Sequence, residues 1–488
     1  MADESQARVP RRATVRLSMR RIDELPDAES AFVHIYGESA NAFWLDSGVE
    51  GERGRFSFMG DDEGPLGATI AYDVAARELR VERAGRVEVR RESIFEYLDR
   101  ELGRLGGVDA GLPFGFDCGF AGYLGYELKA ECEGDPAHRA PTPDAALLFA
   151  DRLIAFDRLE RCTYLLCLSP PDAVAAAENW IARTGERLAA LPPLGEPDVG
   201  SAPVAFRLSR PRRRYLEDIS ACKRYLAAGH SYEICLTDKV LAEADLDPLT
   251  LYRALRRVNP APFGAYLRFG GLAVLSSSPE RFLSVDRDGG AEARPIKGTA
   301  RRGEIAEEDA RLAGALRADA KSRAENVTIV DLLRNDLGRV CKPGTVDVPE
   351  LMRVESYETV HQLVSTVRGR LRPGVGAVEC IRACFPPGSM TGAPKLRTME
   401  IIDELEGEAR GVYSGAIGYL GLGGGCDLSV AIRTIVVDGG TIAIGAGGAI
   451  VADSNPEDEF EEMLLKANAA IAAFDPQISL QTPLLGKT

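Results

Sequence analysis

The sequence predicts an α+β fold of antiparallel β-sheets with flanking helices, and three observations carry that expectation. Short strand-like runs crowd together between about residues 30 and 161 and recur in the second half, instead of alternating singly with helices as a doubly wound fold requires. Turn-forming residues separate them, most plainly Asp288-Gly289 between two strand-like segments. The helical stretches, recognised by apolar periodicity, are interpolated between groups of strands.

Taken in order, AFWLDS, RFSFMG, ATIAYDV, LRVERA and AALLFADRLIAFD read as strands, with helices over 93–105 and 171–191, the second amphipathic and Ala-rich. The stretch LPPLGEPDVGSAP (191–203) is rich in Pro and Gly and lacks periodicity. A boundary is placed there, dividing a region 1–195 from a region 208–475. A helix over 212–228, further strands, helices between 305 and 340, a long strand about 360–367 and a closing helix follow. No repeat or low-complexity tract interrupts the chain.

A chain of 488 residues, 45% hydrophobic and 27% charged, can bury a large core. The formal net charge of -15 disfavours a nucleic-acid or anionic-membrane partner, because phosphate would be repelled over most of the surface. An acidic protein that binds a small anion needs a local pocket of Arg, Lys, backbone N–H groups or a bound cation. The 10 cysteines include no CxxC pair and read as reduced thiols. No run approaches the roughly 18 apolar residues of a membrane span, and the N-terminus lacks the apolar stretch of a signal peptide, so a cytoplasmic location is expected. His34, His138, His230 and His361 are never paired at ligand spacing; any metal should be held by carboxylates.

Chemistry concentrates in the second half. If the turn in LAVLSSSPERFLSVDRDGGAEARPIKGT is a two-residue type I′ hairpin on Asp288-Gly289, Glu280 faces Lys297 with Cβ atoms about 4.5–5.5 Å apart. Such a pair is either a surface ion pair or a carboxylate and an amine facing one site, and a one-residue slip would part them. PPGSMTGAPKLRTMEII runs a Gly-rich loop through Pro394 into a helix, whose N-terminus is an anion site by geometry although the string fails the nucleotide phosphate-loop pattern. In IAIGAGGAIVADSNPEDEFEEMLLKA a glycine cluster, Gly445, Gly447 and Gly448, precedes a helix opened by Asn455-Pro456, and such exposed amides suit carboxylates. On that helix Phe460, Met463, Leu464 and Ala467 make a core stripe, while Glu459 and Glu462 form either a solvated face or a hard-cation site that Glu325 could complete. His361, on an alternating strand, is a core histidine or a catalyst.

Together these strings resemble the chorismate-utilising enzymes over about 212–470: SSSPERF, PIKGT, RAEN with VDLLRND, VHQLVS, GSMTGAPK, GVYSGAIGY, AIRT and GAGGAIVADS occur in the family's order. AFWLDSG, RFSFMG and FAGYLGYEL extend the resemblance more loosely into the N-terminal half. It implies one large α+β unit with antiparallel sheets packed together around a deep active site. It implies Glu325 and Glu462 as Mg²⁺ ligands, with Glu459 close to the ion through water. Tyr413, Arg433, Thr391 and the amides around Gly447 and Gly448 would hold the carboxylates of chorismate, and His361 would sit by the ring carboxylate. Ala449 stands where many relatives have another Gly, a departure a nest of N–H groups tolerates.

Anthranilate and isochorismate synthases resemble PIAGT where this chain reads PIKGT, and the Lys is that of the aminodeoxychorismate synthase branch. The resemblance thus implies amination at C4 with Lys297 as covalent catalyst. A neutral amine adds at C2 as the C4 hydroxyl leaves, protonated by Glu280, and ammonia then attacks C4 and expels the lysine. Burial is the expected means of keeping Lys297 neutral, with Glu280 protonated beside it. Relatives that add water place a general-base Lys where Glu233 aligns here, so water activation is not expected. No Cys-His-Glu amidotransferase segment is found in the sequence; ammonia is expected from a partner glutamine amidotransferase (glutaminase) subunit or from solution. The tryptophan-feedback motif is replaced by HIYGESANAF, so that feedback is not expected. The product would enter para-aminobenzoate and folate synthesis or a secondary metabolite. The alternatives are an anthranilate or 2-amino-2-deoxyisochorismate synthase, which would aminate C2 despite Lys297, and a non-catalytic chorismate-binding regulatory subunit, which would need a broken Glu280, Lys297 or Mg²⁺ set.

Overall fold

The computed structural model describes residues 15–49, 54–106, 111–200, 203–357, 360–475 and 480; the N-terminal segment 1–14, read above for a signal peptide, lies outside them. Among these residues the strands assemble into two sheets of 12, with antiparallel pairing throughout. Alternation along each strand builds two cores. Phe43 points between the sheets, where Phe58, Phe116, Phe120 and Leu147 join it. Its neighbour Trp44 points to the outer face of the first sheet, beneath helices that contribute Tyr215, Tyr252, Phe460 and Met463. The α+β class and the packed antiparallel sheets are therefore as expected.

The expected regions 1–195 and 208–475 share both sheets. In the first, Asn41–Asp46 pairs with Phe263–Phe269, Leu45 facing Ala265. In the second, Gly119–Leu124 pairs with Ala416–Gly421, Gly122 facing Gly418. A Cβ on Gly122 would lie 2.2 Å from the Ala146 carbonyl oxygen and one on Gly418 2.0 Å from that of Asp427, so each of these glycines is fixed by the next strand out on its own side of the junction. Residues 191–200 hold no helix or strand, as the Pro/Gly-rich composition suggested, but composition says nothing of the long-range pairing across them.

The hairpin register differs from the expected one. The loop holds three residues, Arg287-Asp288-Gly289, closed by the Asp286 N–H on the Gly290 carbonyl at 2.9 Å, with Gly289 at φ +80°. The Asp286 carboxylate accepts the N–H groups of Asp288 and Gly290 and so organises the longer loop. Val285 consequently faces Ala291, and after a bulge Arg281 faces Arg294; Glu280 and Lys297 are not a cross-strand pair. The closing helix Pro456–Ile471 follows expectation, with the Asn455 side chain accepting from the Glu457 N–H and Phe460, Met463, Leu464 and Ala467 buried.

One residue ties the halves together, through its side chain and its backbone. Arg410 donates to both Glu406 oxygens at 2.8 and 2.7 Å, to the Met390 carbonyl at 2.6 Å, to Ser414 Oγ at 3.3 Å and to the Cys235 carbonyl at 2.7 Å, using all its donors. Its own N–H and that of Gly411 reach the Glu127 carboxylate at 2.7 and 2.8 Å, and the Tyr126 ring lies 4.6 Å below. Burial acts to raise the Glu406 pKa, but Arg410 and Arg210 hold it below the usual carboxylate value. Arg410→Met should therefore cost about 3–5 kcal/mol, because it strands a buried carboxylate. The check is the chemical denaturation midpoint; a shift worth under about 1 kcal/mol would refute the role.

Candidate active site

Lys297 lies on the edge strand Ile296–Arg301 of the second sheet, where a bulge breaks the pairing with Val360–Arg370 between Ile296 and Thr299. Gly298 follows at φ +87°, and a Cβ there would sit 2.6 Å from Ser322 Oγ on the helix Ala320–Gly338. The bulge and the close helix re-aim Lys297 inward, to 8% exposure. Its Nζ lies 2.6 Å from Oε1 of Glu233, the first residue of strand Glu233–Glu243 in the first sheet, so this pair joins the two sheets. Burial pulls the Lys297 pKa down, but the carboxylates of Glu233 and Glu325 outweigh it and the net shift is upward. The net direction thus favours the ammonium, opposite to what burial alone would give. Glu280 is buried too, and burial pushes its pKa up to about 7 against the pull of Lys297, so a proton is available on it near neutrality.

Glu325 comes from the helix Ala320–Gly338, Glu459 and Glu462 from Pro456–Ile471. No three His, Cys, Asp or Glu side chains among the described residues converge as a ready-made metal cluster. All three carboxylates nevertheless surround one point, for Lys321 Nζ lies 2.6 Å from Glu459, 3.8 Å from Glu325 and 4.0 Å from Glu462. Glu459 is buried; its Oε1 accepts from Ser454 Oγ at 2.6 Å, and its Oε2 has no hydrogen-bond partner among the described residues. Burial pushes the Glu325 pKa up to about 7, and Glu233 adds to the rise. Oxygen-only donors with one orphaned buried oxygen fit a hard divalent cation.

Arg433, Tyr413 and the glycine strand are the residues expected to receive an anion. Arg433 has no carboxylate partner among the described residues, and burial lowers its pKa, the mark of a cation without a counter-ion. The buried Tyr413 ring fills the space over Gly445, where a Cβ would come within 2.1 Å of it. Gly447 faces Thr237 across the sheet with no room for a side chain, its would-be Cβ 2.3 Å from the Leu236 carbonyl oxygen. Gly448 opens toward Glu459 Oε2 and Lys466 Nζ, 3.4 and 3.8 Å from its would-be Cβ. Lys466 bonds Glu462 at 2.8 Å and the Gly447 carbonyl at 2.9 Å, linking the glycine strand to the carboxylates.

Two expected residues are engaged elsewhere. His361 is buried opposite Ala300, with Nδ1 2.8 Å from Ser356 Oγ and Nε2 2.9 Å from Asp309 Oδ1, so both ring nitrogens are taken. Thr391 is fully buried; its hydroxyl donates to the Gly388 carbonyl at 3.1 Å and its carbonyl accepts the Cys235 N–H at 2.8 Å, which positions the loop against the site. The lysine of GSMTGAPK is also structural, Lys395 donating to Asp336 at 2.6 Å and to the carbonyls of Cys384 and Pro386 at 2.7 and 3.0 Å. Sequence reasoning missed Lys321, Lys466 and the partnership of Glu233. Lys466 carried a signal, four residues after Glu462.

The chain matches the family model described as chorismate binding enzyme over residues 43–472. It is 50% identical over 469 residues to an aminodeoxychorismate synthase of Streptomyces pristinaespiralis, covering 94% of this chain and 65% of that relative. A chloroplastic aminodeoxychorismate synthase of Arabidopsis thaliana is 41% identical over 506 residues, covering 96% of this chain and 55% of the relative. The chain thus spans under two thirds of the length of these relatives. Among solved structures it is similar to anthranilate synthase component I of Streptococcus pneumoniae TIGR4, with a TM-score of 0.74, 30% identity and coverage of 86% and 93% of the two chains.

The raised pKa of Glu280 makes a signed prediction. Between the unfolded value of 4.5 and the folded value of about 7 the folded protein holds the extra proton, so stability falls as pH rises through that window and levels off above it. Glu280→Gln should remove this loss, flattening the fall by about 3 kcal/mol in urea titrations between pH 4.5 and 7.5. Parallel curves for parent and variant would show that Glu280 ionises normally.

Proposed function

The chain belongs to the chorismate binding enzyme family, and from that premise we propose that it is the chorismate-using unit of an aminodeoxychorismate synthase. Lys297 carries the reading: it is a buried amine held between the two sheets beside a protonatable Glu280, in a chain with aminodeoxychorismate synthases among its relatives. Arg433, Tyr413 and the amides of Gly447 and Gly448 would receive the substrate carboxylates. Lys297 would add at C2 as Glu280 protonates the departing C4 hydroxyl, and ammonia would then take C4 and release the lysine. A Mg²⁺ ion held by Glu325, Glu459 and Glu462 would supply positive charge to an anionic substrate. Thr391 would support this pocket through the loop it anchors, and His361 would act on substrate only if Asp309 or Ser356 yields its place.

Ammonia would come from a partner glutaminase or from solution. The product would serve para-aminobenzoate and folate synthesis or a secondary metabolite. No helix among the described residues is long and apolar enough to cross a membrane, which supports a cytoplasmic site of action.

With chorismate, Mg²⁺ and ammonium the purified chain should form 4-amino-4-deoxychorismate, identified by mass, and glutamine should not replace ammonium. A C2-aminated, fluorescent product would instead make it an anthranilate synthase. Lys297→Ala should lose the C4 product by about 10³-fold while chorismate binding changes little, since the carboxylate anchors lie elsewhere. Chelator should abolish turnover and Mg²⁺ restore it, with Glu462→Gln raising the Mg²⁺ requirement; full activity in chelator would refute the metal reading.

A further inference from the structure

Glu233 carries chemistry that neither the motif strings nor the metal set require. It is 1% exposed, yet only one of its oxygens is used: Oε1 meets Lys297 Nζ at 2.6 Å, while Oε2 is buried and has no hydrogen-bond partner among the described residues. A buried carboxylate oxygen without a donor is costly, and native structures rarely keep one without a use. The strand that carries it is held in place. The Glu233 carbonyl accepts from Ser231 Oγ at 2.8 Å, and the residue pairs with Ala393 at the rim of the loop that holds Thr391.

We propose that Glu233 is the proton acceptor for Lys297, its Oε1 taking the ammonium proton as the lysine attacks and its Oε2 accepting an N–H of the incoming ammonia. The inference rests on the function proposed above and adds what that scheme lacks, a route from an ammonium to a nucleophile. The Nζ–H bond breaks and Oε1–H forms; the freed pair makes the Nζ–C2 bond. The ring double bonds move from C1=C2 and C5=C6 to C1=C6 and C4=C5, and the C4 hydroxyl leaves as water with the Glu280 proton. Glu233, now neutral, keeps Oε2 as the carbonyl-type acceptor for ammonia. Attack of ammonia at C4 returns the double bonds and expels Lys297 as a neutral amine. The new C4 ammonium gives one proton back to Glu280, and Glu233 returns its own to the lysine. Chorismate and ammonia become the 4-amino product and water, with the enzyme restored.

Glu233→Gln and Glu233→Asp test this in the full chain with Mg²⁺ and ammonium chloride. Glu233→Gln should lower kcat by about 10²-fold or more and raise the KM for ammonium about tenfold, while the chorismate Kd stays within about threefold. Glu233→Asp, which keeps the carboxylate, should recover part of the loss. Lys297 of the Gln variant should react faster with an amine-acylating reagent, read by peptide mass spectrometry, because a carboxylate that favours its ammonium is gone. Faster acylation with slower turnover is a pairing that a merely structural residue would not give. Near-parental turnover in Glu233→Gln, or a loss matched by equal loss of chorismate binding, overturns the inference. A parent chain that makes no C4-aminated product overturns the function above and this inference with it.

Discussion

The architecture depends on a single buried guanidinium. Arg410 sits where a strand of the first sheet, the loop through Met390, the helix Lys395–Glu406 and the turn after Gly119–Leu124 all come within reach, and each donates an acceptor to it or to its backbone. Glu406 answers with a second set of bonds, accepting the N–H and hydroxyl of Thr237 at 2.8 and 2.9 Å. Thr237 faces Gly447, and Cys235 faces Ala449, so the same network sets the height of the glycine strand. A fully satisfied buried pair specifies one arrangement of its surroundings, because any shift leaves charge unpaired in a medium that cannot hydrate it.

From that anchor the site is assembled across the gap between sheets. Lys297 belongs to one sheet and Glu233 to the other; the carboxylates come from two helices that pack against them. The polar groups sort into cations that lack an anion, as at Arg433, and carboxylates with an oxygen to spare, as at Glu233 and Glu459. Such incompleteness is costly in a core and is what marks this cluster as the candidate site. The ion pair at Lys297 favours its ammonium form, against the effect of burial.

What was legible in the sequence was local. The Asn455 cap, the Pro at the first turn and the apolar stripe through Phe460 and Met463 lie within one helix, and periodicity suffices to read them. The antiparallel class followed from strand crowding in the same way. The hairpin register was not legible, because a side chain outside the assumed turn, Asp286, chose the loop length. Nor was the Glu233–Lys297 pair, whose members lie 64 residues apart in different sheets. His361 shows the same limit, since its partners Asp309 and Ser356 come from a helix and a neighbouring strand. Candidate membership of the site was read from the order of motif strings; distances and the directions of the pKa shifts come from the fold.

The junction at Gly122 and Gly418 has a consequence for how the gene can be cut. Strands of the two halves pair there, and the same interleaving recurs where Asn41–Asp46 lies against Phe263–Phe269, so neither half owns a complete sheet. A protease that nicked the chain in 191–203 would leave two fragments still laced into common sheets, and the nicked enzyme would hold together. Either fragment made alone would expose strand edges that its own residues cannot cover, and would aggregate. Recombination between relatives is accordingly confined to exchanges that carry both faces of these seams together.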